Sequence, residues 1–141
     1  MFASKKITVG LTVAFMLLLV ACGGGGSNEV TITLTDFGIE SSRTSFEVGV
    51  PYHFIITNEG AINHEMMIMA PLTEDQMMMD MDMEQMDAMA LAMIEEDELT
   101  PGTTRTLDYT FTEPAPDGSL EFSCHVEGHY VAGMKLPITV K

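Results

Sequence analysis

Basic side chains are scarce in this 141-residue chain: six Lys and Arg stand against 21 Asp and Glu, a formal charge of −15. A body of that sign repels phosphate backbones, which argues against nucleic acid and leaves basic proteins, or solubility alone, as its uses. Cysteine is nearly absent, with only Cys22 and Cys124, so one disulfide is the most the chain could form. The longest apolar stretch, residues 7–20, falls short of the ~20 residues an ordinary membrane-spanning helix needs. Nothing repeats at a solenoid period.

Much of what positive charge exists sits at the start. Lys5 and Lys6 precede the apolar stretch as they do in a secretory signal. The stretch runs into Leu19, Val20, Ala21 and Cys22, the form of a bacterial lipobox, in which residues 1–21 are removed and Cys22 is lipidated. A plain signal-peptidase site is the alternative. Several acyl chains, each contributing about 0.8 kcal/mol per buried CH2, anchor where one chain would not. Residues 22–28, the lipidated Cys followed by four Gly, Ser and Asn, read as a flexible tether. This predicts an extracytoplasmic protein, lipid-anchored to a bacterial membrane on its periplasmic or cell-surface face. Processing leaves 120 residues, one domain over 29–141, and removing both lysines takes the formal charge to −17.

Apolar residues alternate in short runs through that domain: Val30, Ile32, Leu34; Phe46, Val48; Tyr52, Phe54, Ile56; His64, Met66, Ile68; Leu107, Tyr109, Phe111; Leu120, Phe122, Cys124; and Leu136, Ile138, Val140. Period two between Gly, Pro, Asn and Asp clusters predicts an all-β antiparallel sandwich. Leu120 and Phe122 share the face of Cys124, so the thiol should point inward. Pro137 interrupts the last run and requires an edge, a bulge or a position where the ladder has no use for an N–H.

The loop after Phe122 carries a thiol, an imidazole and a thioether, with Cys124, His129 and Met134 spaced C-x4-H-x4-M. With a second imidazole these are the donors of a trigonal His2Cys copper site with a weak axial Met. Buried Cys and gap-filling Met are the plainer reading of the same residues. Of the other histidines, His125 adjoins Cys124 and would face the opposite way in a continuing strand, and His53 lies off the apolar face of its run. His64 opens a run after the turn-like Asn58, Glu59 and Gly60, at a strand end, and is the chosen fourth ligand.

On these residues the chain resembles the cupredoxins, the small blue copper proteins that include azurin, plastocyanin, auracyanin and rusticyanin. The resemblance covers residues 29–141 apart from one insertion at about 71–99. It implies a Greek-key sandwich and one copper ion held by Nδ1 of His64 and His129, the Cys124 thiolate and, axially, Met134. In azurin and plastocyanin the residue after the first His is an Asn that braces the ligand loop; here it is Glu65. By the same resemblance electrons would leave at the edge of His129, framed by Tyr130, Val131 and Ala132.

Eleven of the 14 methionines fall within residues 66–93. Residues 73–94 lack Gly and Pro, are rich in Met, Ala, Glu and Gln, and read as a helix with Thr73 as N-cap and Gln76 completing a capping box. On it Met79, Met83, Met86, Ala90, Met93 and Ile94 would form an apolar stripe packed on the sandwich. Met77, Met78, Met81 and Met89 fall partly off the stripe and could hold Cu(I), take up oxidants or meet a partner.

The expected function is that of a membrane-anchored, monomeric one-electron carrier between redox proteins such as cytochromes or a terminal oxidase. The rival is a copper-handling protein that stores or delivers Cu(I) through the Met-rich segment. Enzymatic cupredoxins need further copper centres, and the chain shows no spare His cluster for one, so no catalysis is expected.

Overall fold

The computed structural model describes residues 28–79 and 81–141. Cys22, the signal segment and nearly all of the tether lie outside the described residues.

Among the described residues, nine strands and two short helices follow in the order β1 (Glu29–Thr35), β2 (Gly38–Ser41), β3 (Ser45–Phe46), β4 (Pro51–Asn58), β5 (Met66–Met69), α1 (Glu74–Met78), α2 (Met83–Asp87), β6 (Ala92–Ile94), β7 (Thr104–Thr110), β8 (Ala115–Ser123) and β9 (Lys135–Val140). They form two sheets, ordered β2-β1-β4-β7 and β3-β9-β8-β5-β6. The chain passes repeatedly from one sheet to the other, which makes a Greek-key sandwich. All seven alternating runs contribute to strands, although β3 stops at Phe46 and leaves Val48 exposed.

The alternation sets the core. Val30, Ile32 and Leu34 of β1 and Tyr52, Phe54 and Ile56 of β4 face Leu120, Phe122, Ile138 and Val140 of the other sheet. Phe46 is central to it, its ring centroid 5.0 Å from Tyr52, 5.8 Å from Phe54, 5.0 Å from Phe111 and 5.9 Å from Phe122. Pro137 meets its requirement: β3 pairs with β9 only at Thr139 and Val140, so no ladder bond on that side needs a proton from residue 137.

The insertion departs from expectation. Thr73 does cap α1, and its capping box with Gln76 is present. The helix nevertheless ends at Met78, with Met79 extended at φ −75° and ψ 139°. Asp82 then opens α2 with a second capping box, to Gln85. Short polar side chains compete for backbone N–H groups and restart a helix better than they continue one. Residues 92–94 are strand: Met66 pairs with Ile94 and Met67 with Met93, covering the edge of β5. A long helix would have left those backbone groups unpaired, so tertiary pairing overrides local propensity. The stripe is lost with the helix, because neither α1 nor α2 buries a residue and only Ile94 of the six is in the core.

Replacing Phe46 by Ala should cost about 3–5 kcal/mol, since a cavity opens where four rings meet. Met78→Ala, on the exposed side of α1, should stay within about 0.5 kcal/mol. Urea unfolding measures both.

Candidate metal centre

Three side chains from two segments converge at one end of the sandwich. His64 lies two residues before β5, and its N–H donates to the Leu99 carbonyl at 3.2 Å. Cys124 follows the end of β8, and His129 follows five residues on in the loop to β9. The His64 and His129 Nδ1 atoms are 3.2 Å apart, and the Cys124 Sγ lies 3.9 Å from the first and 3.4 Å from the second. Donors at bond lengths of roughly 2.0–2.3 Å, spread trigonally about one centre, stand roughly 3.5–3.8 Å apart. The three atoms therefore fit one ion after small adjustments.

Backbone hydrogen bonds hold the loop. The Cys124 N–H donates to the Met134 carbonyl at 3.1 Å, and the Met134 N–H to the His129 carbonyl at 3.1 Å. Gly133, at φ 106°, allows the reversal that brings Met134 back beneath Cys124. Met134 is fully buried in the core cluster. Burial pushes the Cys124 thiol up to about 11, despite backbone N–H groups that favour the thiolate. A metal must therefore displace its proton. His64 is held below its ordinary value, first by burial and then by the neighbouring His129.

Solved structures share this architecture. Sodium dithionite-reduced auracyanin from Roseiflexus castenholzii superposes with a TM-score of 0.60 at 22% identity, over 83% of this chain and 99% of that one. Auracyanin B gives 0.59 at 17% identity, over 80% and 88%. The azurin Az-iso2 from Methylomonas sp. strain J gives 0.54 at 12%, over 82% and 99%. The chain has the cupredoxin fold. A curated relative, the copper-resistant cuproprotein CopI of Pseudomonas aeruginosa, is 25% identical over 142 aligned positions, covering 82% of this chain and 77% of that protein. No protein-family model matches.

Within this cupredoxin sandwich the loop brace is a carboxylate. Glu65, almost fully buried, accepts the His125 N–H through Oε1 at 2.6 Å, while its own N–H lies 3.5 Å from the Cys124 Sγ. Glu65 thus links the two ligand segments where the resemblance places an Asn. Burial raises its carboxyl to about 7, with Asp87 and Glu96 adding to the effect.

The remaining histidines lie off the centre. His53 pairs on the surface with Asp108 at 2.6 Å. His125 is buried, its Nε2 2.9 Å from the Ser123 Oγ and its ring stacked on Tyr130 at 4.4 Å. Burial lowers its basicity to about 4. One residue of the expected exit edge is not at the surface: Tyr130 is buried and donates its hydroxyl to Glu121 at 2.6 Å. Val131, 86% exposed, and Ala132, also exposed, follow it in the ligand loop. Of the four candidate thioethers, Met77 and Met81 border the ligand loop together with Met79 and Met86. Met78 points to solvent, and the Met89 Sδ accepts from Gln76 at 3.9 Å.

Two supporting residues were not foreseen. Asn58 is buried and fixes the turn before His64 by donating to the Ile62 and Leu99 carbonyls at 2.8 and 2.7 Å. Asp36, in the turn between β1 and β2, brings Oδ1 to 3.4 Å from the His64 Nε2, a buried atom that forms no closed hydrogen bond. Once Nδ1 is engaged by a metal the ring proton falls to Nε2, and Asp36 is the acceptor at hand. Gly60 makes the approach possible: a Cβ there would collide with the Asp36 carboxylate and stand 2.7 Å from that same nitrogen.

Asp36→Asn should weaken copper binding about 10–100-fold and raise the reduction potential, as loss of an outer carboxylate reduces ligand basicity. Gly60→Ala should shift both in the same direction. Chelator competition and potentiometry give the answer, and unchanged values in both variants would remove Asp36 from the centre.

A carboxyl whose folded value is raised is stabilised in its protonated form, so its contribution is present below about 4.5 and lost as pH rises through about 7. Glu65→Gln keeps an acceptor for the His125 N–H and cannot ionise. Its Tm relative to wild type should therefore climb between about pH 4.5 and about pH 7 and level off above, in calorimetry of metal-free protein.

Proposed function

We propose that this protein is a mononuclear blue copper protein, anchored through Cys22 outside the cytoplasm, that carries single electrons between redox proteins. The observation behind this reading is the convergence of two imidazole Nδ1 atoms and one thiol sulfur within 3.2–3.9 Å of one another at the end of a cupredoxin sandwich. Bound there, copper supplies a one-electron couple, stabilised in one oxidation state by thiolate and in the other by imidazole.

The chain supplies the rest. Loop hydrogen bonds and the Glu65 brace hold the donors in one arrangement, so little reorganisation accompanies a change of charge. Burial of Cys124, His64 and Met134 keeps water away. Val131 and Ala132 give an apolar landing beside His129, and the acidic body favours a basic partner, such as a cytochrome or a terminal oxidase. No substrate turnover is proposed.

Copper handling is the second reading. It is supported by the 25% identity to a protein described as a copper-resistant cuproprotein and by methionines left outside the core.

Full-length protein loaded with Cu(II) should be intensely blue, with a narrow copper hyperfine splitting. Cys124→Ser should abolish the colour, and His64→Ala or His129→Gly should change the spectrum strongly. A colourless wild-type complex would refute the centre. Copper retained through repeated reduction and oxidation supports the carrier, whereas release to an acceptor on reduction supports handling.

A further inference from the structure

Four thioethers excluded from the core share one cavity. Met77 of α1, Met79 and Met81 after it and Met86 of α2 line a half-open pocket of about 160 Å³ whose other wall includes His125 and Tyr130 of the ligand loop. Two capping boxes set this arrangement. Thr73 with Gln76 fixes α1, Asp82 with Gln85 fixes α2, and the Leu72 N–H donating to the Tyr130 hydroxyl at 3.2 Å ties the insertion to the loop.

The lining chemistry selects the occupant. Among the described residues no carboxylate lines the pocket, and its side-chain oxygens, those of Gln76 and Tyr130, are already engaged with the Thr73 N–H and with Leu72 and Glu121, so it offers little to hard cations such as Ca²⁺ and Mg²⁺. Among the described residues no Lys or Arg lines it to attract an anion. Its repeated donor is thioether sulfur, which is soft and suits monovalent copper. The volume exceeds what one ion needs, but methionine has three rotatable side-chain bonds and can bring its sulfur inward. Met77 and Met79 are 48% and 63% exposed, so they have room to move and little packing to lose.

We propose that this pocket is a second metal site, selective for Cu(I), in which Met77, Met79, Met81 and Met86 hold the ion separately from His64, Cys124 and His129. The site deepens the copper-handling reading and is independent of whether the first centre carries electrons. Because His125 adjoins Cys124 in the chain, the pocket lies against the loop that supplies the thiolate. Cu(I) held there would wait beside the first centre, and its binding involves no change of oxidation state.

The test uses full-length Cys124→Ser protein, which lacks the first centre's thiolate, titrated with Ag(I) as a redox-inert soft cation and anaerobically with Cu(I) against a chelator. One tight equivalent of each is expected. Leu at all four positions in the same background should abolish it. No uptake by Cys124→Ser, or uptake that survives the Leu replacements, overturns the proposal.

A measurement without the Leu variant guards against misfolding. In Cys124→Ser, Ag(I) should shift the methyl NMR signals of Met77, Met79, Met81 and Met86 and leave that of Met78 in place. Shifts confined to other methionines place the ion elsewhere and overturn the assignment. Lack of blue colour in wild-type protein bears on the first centre and alters neither result.

Discussion

The hydrogen bond from the Cys124 N–H to the Met134 carbonyl closes the ligand loop, and the other features of the centre depend on that closure. It continues, past the strand ends, the ladder in which β8 pairs with β9, where Ser123 stands opposite Lys135. The rigidity of a nine-residue strand is thereby carried into the loop. A thiol at the free end of a strand would sample many positions, whereas one tied at its own backbone has few. The turn at Gly133 and the bond from Met134 to the His129 carbonyl then place the imidazole relative to the sulfur.

Burial of polar groups near the centre follows from this fixity. Glu65, Ser123, His125 and Glu121 are withdrawn from water, and each has a partner: a backbone N–H, a ring nitrogen, a hydroxyl or a phenol. Leaving any one unpaired would cost about 1–3 kcal/mol. The segment after β8 and the segment before β5 are therefore joined by directional contacts as well as apolar packing. Polar networks of this kind favour one arrangement over near alternatives.

Local patterns in the sequence were faithful guides. Alternation in residues 30–34, 52–56 and 136–140 states which side chains face inward, and each face is buried as the period requires, Leu136 only in part. The Cys124, His129 and Met134 spacing was legible because one loop contains it. Asp36 and Asn58 were not legible as supports, since the contact of Asp36 with His64 depends on how the β1–β2 turn folds over a distant segment, and Asn58 reaches the Leu99 carbonyl across 41 residues of chain. Residues 73–94 misled for the opposite reason. Their composition favours helix, and the pairing of β6 with β5 is a tertiary contact that composition does not show.

That small strand has an evolutionary consequence. With β6 fixed to β5, the segment between Met69 and Ala92 is a closed loop with both ends held, and lengthening such a loop twofold costs only about 0.6 kcal/mol. Mutation can lengthen, shorten or recompose the insertion while the strands that position His64 and Cys124 stay in register. The fold thus separates the strands that position the ligands from a segment free to acquire new surface chemistry, and seven of the 14 methionines lie in that segment.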